Sequence, residues 1–318
     1  MKTKKFFVCI TSVLILLSSC TFNFSLAPPE KPIKETVIEG QGKPKILLVD
    51  LSGVISLSKS SNLLGENKQS LLEKIRGELV KAGKDKDVAG LIIRIDSPGG
   101  GVAASDLIYH EIMAFKEKKK VPVYAYIMET GASGAYYDAS AADMIIAEPA
   151  ALVGSIGVIA MKFNAEGLFS KIGISAETYK SGPKKDFWSP FRPSTPEEQK
   201  MLQAIVNDLY GGFLNVVYKG RHGLLTMDQL RSIADGRVLT AGQALDARLV
   251  DKVGYLDDTF ELMKKNLGIK EARLITYSKG EGGQTNIYSG PSTVISLLTL
   301  GAEAPSGPSI RFYYLWNP

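Results

Sequence analysis

Ser133 stands in the run GASGAYYDAS (131–140), just before a glycine and at the start of an expected short helix. A serine hydroxyl in that position can serve as a nucleophile. The adjoining amide, that of Gly134, is unobstructed and suits half of an oxyanion hole. The same serine serves equally well as a helix N-cap, so the residue alone leaves both readings open. A second glycine-rich turn, IDSPGGGV (95–102), follows an apolar strand and precedes a helix. Pro98 fixes the chain there, and Gly99, Gly100 and Gly101 leave backbone N–H groups free to point at a negative charge. No Gly-Lys-Ser/Thr follows, and the pattern is not G-x-G-x-x-G, so a nucleotide-phosphate loop is excluded. An oxyanion cradle and a tight strand-to-helix turn remain.

A serine nucleophile needs a proton acceptor, and the chain has only two histidines. His110 lies on an expected helix and His222 in a downstream turn; both read as surface or packing residues. A lysine held neutral by burial is the alternative base. The segment YKSGPKKDFWSPFRPST (179–195) offers Lys180, Lys184 and Lys185 among residues able to form a dry pocket. Ser155, in ALVGSIGVIA (151–160), is placed either to orient such an amine or simply to make a turn. With two cysteines, two histidines and no Cys-x-x-Cys, a zinc site of the usual ligands is not expected. The net charge of +5 comes without a basic block, so nucleic acid is not an expected partner.

These residues sit between elements with a clear pattern. Apolar runs at 45–55, 88–96, 121–127 and 144–149 read as strands, separated by helical stretches at about 68–82, 104–118 and 133–142. Uniformly apolar strands alternating with helices predict an α/β fold with the strands covered on both faces. A long amphipathic helix is expected over 196–219, with Pro196 in its first turn after the capping candidates Ser194 and Thr195. A last strand is expected over 272–278.

The ends differ from this body. MKTKK, then FFVCITSVLILL, then LSSC have the order of a secretory signal: basic, apolar, small. Ending at Cys20, the run resembles the lipobox of bacterial lipoproteins, in which the cysteine carries the lipid; the alternative is an uncleaved signal anchor. Either places the body outside the cytoplasm at a membrane. The expected organisation is a signal over 1–20, a flexible Pro/Lys/Glu/Gly tether over 21–44, one catalytic domain over 45–278 with a helical C-terminal part, and a flexible tail over 279–318. The tail closes on the aromatic run IRFYYLWNP (310–318).

Taken in order and spacing, IDSPGGGV, GASGAYYDAS, AEPAALVGSIGVIA, YKSGPKKDFWSP and IADGRVLTAGQALDARLVDKVGYLDD closely resemble the bacterial signal peptide peptidases of the SppA type, in their short, single-repeat form. The resemblance covers roughly 45–265. It implies a ClpP/crotonase-like spiral of ββα units and a serine endopeptidase with a Ser/Lys dyad. Residue by residue, it makes Ser133 the nucleophile and Lys185, directly before Asp186, the general base. It makes Ser155 the lysine-orienting serine, and the amides of Gly100 and Gly134 the oxyanion donors. It further implies a homo-oligomer in which the serine and lysine of one site come from neighbouring subunits. Substrates would be apolar peptides such as cleaved signal peptides at the membrane, and no metal or cofactor is expected. Two positions depart from the family pattern: Ala135 replaces a glycine and Asp138 replaces an apolar residue. A crotonase-type acyl-CoA enzyme and a non-catalytic membrane-surface scaffold are the competing functions on the same fold. A groove that takes up extended apolar peptide would also take up the tail, expected in or beside the groove of a neighbouring subunit.

Overall fold

The computed structural model describes residues 33–58, 69–278, 286–287 and 312–316. Cys20 and the signal region lie outside the described residues. Among the described residues, no helix is long and apolar enough to cross a membrane.

The centre is a parallel array of β2 (Lys45–Ser52), β3 (Val88–Ser97) and β5 (Val123–Ala132). The sheet is extended by β10 (Arg273–Ser278) and β1 (Lys34–Gly40) on one side, and by β6 (Met144–Ala147) and β9 (Lys252–Val253) on the other. β7 (Leu152–Gly154) continues the far end of β5 and pairs with β8 (Val238–Thr240). The period of two along each strand builds two cores. Leu47, Val49 and Leu51 face α1 (Leu71–Lys84), α2 (Val102–Lys119), α3 (Gly134–Ala139) and α5 (Pro196–Gly220). Ile46, Leu48, Ile92, Tyr124 and Ile146 face the other way, onto Leu256, Phe260 and Met263 of α8 (Leu256–Leu267). Burial of both faces explains why these strands read as continuous apolar runs. The short α4 (Glu166–Lys171), α6 (Met227–Ile233) and α7 (Ala241–Asp246) complete the helices of the described residues.

Sequence-local devices set the long elements. Thr195 caps α5 by accepting from the Glu198 amide at 3.2 Å while the Glu198 carboxylate accepts from the Thr195 amide at 2.9 Å. Ser194, the other capping candidate, instead accepts from Lys162 Nζ at 2.9 Å. Two expectations change. The tether ends earlier than 44, because Lys34–Gly40 forms an antiparallel strand on β10, satisfying what would otherwise be an open sheet edge. The helix after Ser133 spans six residues and stops at Ala139, so local backbone amides, rather than a long helix dipole, must supply any positive potential at its start.

Candidate active site

The carboxyl ends of β3, β5 and β7 lie side by side, because the strands are parallel and in register: Ser97 pairs with Gly131, and Ala132 with Gly154. Each strand delivers one predicted feature. β3 runs into β4 (Gly99–Gly101), β5 into Ser133, and β7 into Ser155.

Ser133 is 1% exposed and takes φ +56°, ψ −118°, a conformation that L-residues rarely adopt. It is held there by its amide, which donates to the Gly154 carbonyl at 2.7 Å, and by its carbonyl, which accepts from the Tyr137 amide at 3.0 Å. Its hydroxyl makes no hydrogen bond among the described residues and is not spent on capping α3. That removes the N-cap reading. Ser155 also has positive φ, +50°, and is nearly buried one residue past the strand end paired with β5. Its amide donates to the Arg237 carbonyl at 2.7 Å.

β4 has two paired edges. On one side Gly101 donates to the Ile55 carbonyl and Ile55 to the Gly99 carbonyl, each at 2.9 Å. Ser97 braces the turn, accepting from the Gly99 amide at 3.1 Å and donating to the Gly53 carbonyl at 2.6 Å. On the other side, β11 (Tyr313–Leu315) lies antiparallel, with Tyr314 opposite Gly100. Val102 donates to the Phe312 carbonyl at 3.2 Å and Trp316 to the Pro98 carbonyl at 2.9 Å. The alternation of an antiparallel ladder then makes Tyr314 and Gly100 a hydrogen-bonded pair. β11 is paired on its far edge too, where Tyr313 and Ile159 exchange both hydrogen bonds at 3.0 Å.

The glycines permit this close approach. A Cβ on Gly99 would lie 2.1 Å from the Tyr314 carbonyl oxygen and 2.7 Å from the Gly134 nitrogen. A Cβ on Gly134 would lie 3.2 Å from both the Gly100 nitrogen and the Tyr314 oxygen. The amides of Gly100 and Gly134 and the Tyr314 carbonyl therefore converge beside Ser133. An extended segment lies in a slot between two strands, with one carbonyl at the amides. The tail was expected at a neighbouring subunit's groove. Here Tyr313–Leu315 pairs with Gly99–Gly101 of its own chain.

The arrangement of serine, glycine amides and extended peptide slot can perform acyl transfer, and similarity to known proteins agrees. Residues 115–270 match the profile of peptidase family S49. A putative signal peptide peptidase SppA of Enterococcus faecium is 36% identical over 81% of this chain and 74% of its own. The chain belongs to peptidase family S49. The chloroplastic serine protease SPPA of Arabidopsis thaliana is 34% identical over 78% of this chain, though only 37% of that longer protein is covered. A solved structure, the 1510-N membrane-bound stomatin-specific protease, is similar at 16% identity over 70% of this chain and 85% of its own, with a TM-score of 0.42. As an S49 member, the chain is a serine protease with a ClpP/crotonase-like α/β fold.

The lysine candidates sit on the irregular lobe 158–195, and among the described residues none of them hydrogen-bonds Ser133. Lys180 Nζ donates to Asp186 Oδ1 at 2.7 Å, and Lys184 pairs with Glu197 at 2.6 Å. Lys185 is exposed and, among the described residues, its ammonium has no partner. Asp186 beside it is locked by Arg192 and Lys180, whose hydrogen bonds hold its carboxyl well below the usual range. Arg192 also grips Glu198 at the start of α5, at 2.7 Å. His110 and His222 are exposed and neither contacts Ser133.

Nothing in the sequence marks Asp106 or Lys162, and Asp138 stands out there only as a departure from the family pattern. Asp106 accepts from the Tyr137 hydroxyl at 2.7 Å. Asp138 is fully buried in α3, with no well-aligned donor to either carboxyl oxygen. Burial first, and then the charge of Asp106, push its pKa far up, while the Tyr109 backbone donor pulls weakly the other way. Lys162 donates to the Phe187 and Arg192 carbonyls, each at 3.2 Å, and burial lowers its pKa. It pins the lysine-bearing loop.

Proposed function

We propose that this chain is a Ser/Lys endopeptidase that cuts extended apolar peptides, cleaved signal peptides among them, on the extracytoplasmic side of a membrane. The convergence of the Gly100 and Gly134 amides on a peptide carbonyl beside Ser133 carries the reading. A substrate strand would take the place of β11. Lys185, in its neutral form, removes the Ser133 hydroxyl proton as Oγ bonds to the carbonyl carbon. The oxygen becomes an oxyanion on the two amides. As the C–N bond breaks, the Lys185 ammonium returns the proton to the leaving amine. Water, activated by the same amine, then cleaves the ester and restores Ser133. Ser155, beside the nucleophile, would hold the amine in place.

Within one chain Lys185 is exposed and makes no hydrogen bond to Ser133 among the described residues, and the lobe that carries it exposes Phe163 (79%), Leu168, Ile172, Ile174 and Tyr179 (91%). An apolar surface of that extent favours burial against a second copy, which would bring the lysine of one subunit to the serine of the next. Lipidation at Cys20, or else a signal anchor, would hold the assembly at the membrane.

The test is covalent labelling by a fluorophosphonate. Wild type labelled and Ser133→Ala unlabelled is the expected result. A wild-type protein that stays unlabelled would instead favour a scaffold or an acyl-CoA enzyme on the same fold.

A further inference from the structure

The turn that carries Lys185 closes weakly on its own backbone. The Lys185 amide donates to the Gly182 carbonyl at 3.2 Å, and the Phe187 amide to the Lys184 carbonyl at 3.4 Å. Arg192 grips the same turn with both edges of its guanidinium. Nε donates to Asp186 Oδ2 at 2.9 Å and Nη2 to Oδ1 at 2.8 Å. Nη1 donates to Glu198 Oε2 at 2.9 Å and Nη2 to Oε1 at 2.7 Å. Nη1 also donates to the Pro193 carbonyl at 3.0 Å, so every N–H of the group has an acceptor. Two carboxylates each receive a fork of two bonds, which a planar guanidinium can give and an ammonium cannot. Glu198 is the fixed end. It is 2% exposed, and its Oε2 also accepts from the Thr195 amide at the start of α5. At the other end Nη2 reaches the Asp186 carbonyl at 3.2 Å, so the clamp holds backbone as well as side chain one residue past Lys185.

The clamp also decides where charge goes. A lysine works as a base only when neutral, and a carboxylate in contact with it favours the ammonium. Asp186, next in the chain, is the obvious partner for Lys185. Instead Arg192 and Lys180 occupy both its oxygens, and their hydrogen bonds, those of Arg192 foremost, keep its carboxyl ionised far below the usual range. The other charged groups about the turn are engaged in the same way. Lys184 pairs with Glu197 and Arg192 with Glu198, while the Lys162 ammonium holds the Phe187 and Arg192 carbonyls and the Ser194 hydroxyl. Each of these carboxylates is taken by a cation other than Lys185.

Resting on the Ser/Lys reading above, we infer that Arg192 is a positioning residue for the base: it fixes the backbone beside Lys185 and withdraws the Asp186 carboxylate from the Lys185 amine. Without Arg192, that carboxylate lies one residue from a flexible four-carbon stem and is free to pair with it.

The test reads the Lys185 amine directly as well as through turnover. In the full-length protein, acetylation of Lys185 by acetic anhydride is followed against pH by mass spectrometry, relative to an added amine standard. Arg192→Ala should move the midpoint of that curve, and the alkaline limb of kcat/KM, up by about 1 pH unit, the low end of what an opposite charge in contact produces. On the rising limb this reads as about a tenfold loss. Adding Asp186→Asn to the same chain should bring both curves back down, with kcat still below wild type because the backbone anchor is missing. A merely structural role would not be rescued by a second lesion. Arg192→Lys cannot fork two carboxylates, so it should shift both curves in the same direction, and it carries the test if the alanine variant does not fold. Curves that stay in place in the folded variants, or that move without recovery on adding Asp186→Asn, overturn the inference. If the acetylation curve moves and recovers while Lys185→Ala still hydrolyses peptide, the clamp stands and the Ser/Lys reading is what fails.

Discussion

The region around Ser133 and the region around Lys185, the two halves of the proposed site, are built differently. Ser133, Gly134, Gly99 and Gly100 are buried just past the ends of two neighbouring strands, and their backbone geometry is fixed by hydrogen bonds from both sides. A positive φ at a serine persists only where the surroundings over-determine it, and here they do. The lobe 158–195 has one six-residue helix with no buried residue, and its ordering rests on side chains: Lys162 across the loop, and Arg192 between Asp186 and Glu198. Phe163, Leu168, Ile172, Ile174 and Tyr179 on it are exposed. One half is thus pre-organised by the chain itself, while the other carries surface that only a further protein surface would bury. The contrast gives the proposed sharing of one site by two subunits a physical motive: the exposed lobe that carries Lys185 would be covered only in an assembly.

The largest effects break the comparison at its centre. Ser133→Ala and Lys185→Ala should each lower peptide hydrolysis by at least about 10³-fold, the scale for loss of a nucleophile or its base. Lys180→Ala and Lys184→Ala, whose ammonium groups are already paired, should lose less than tenfold. Co-expressing the two dead variants then sharpens the contrast. In a ring built from heterologous contacts, random mixing gives about a quarter of sites an intact serine and an intact lysine. Recovery to that level supports a site shared between copies. No recovery means the lysine acts within its own chain.

The next effect is on assembly. Phe163→Asp places a charge on the exposed apolar lobe far from the strand ends. Light scattering should show a shift to smaller species, with hydrolysis down about tenfold or more and Tm little changed. An unchanged mass would show that another surface holds the copies together.

How legible all this is from the sequence follows the same division. The strands at 45–52, 88–97, 123–132 and 144–147 are apolar because both faces are covered, and that pattern is local. Ser133, Gly100 and Gly134 stand at strand-to-helix turns, which local composition also marks. β1 was hidden inside a stretch whose Pro, Lys and Glu content reads as a tether; the alternation in Lys34–Gly40 becomes a strand only because β10 offers an edge. The pairing of Tyr314 with Gly100 joins residues from opposite ends of the chain, and nothing near either one names its partner.

The smallest effect concerns Asp138, inside the well-ordered half. Its carboxyl is fully buried beside Asp106 and its pKa is raised, first by desolvation and then by that neighbouring charge. In the unfolded chain it titrates near an ordinary value, about 3.9. Above that pH the folded state holds a proton that the unfolded state has released. Stability from this group is therefore complete at low pH and falls as pH rises from about 4 toward the raised folded value. Asp138→Asn keeps the shape and removes the titration. Its Tm should gain on that of the wild type between pH 5 and pH 8, by about 2–4 °C for each kcal/mol involved. The gain should come with little change in the rate of Ser133 labelling, because Asp138 neither touches the slot nor bonds to Ser133. A Tm difference that stays flat with pH would mean that Asp138 is ionised in the fold and that the raised pKa is wrong.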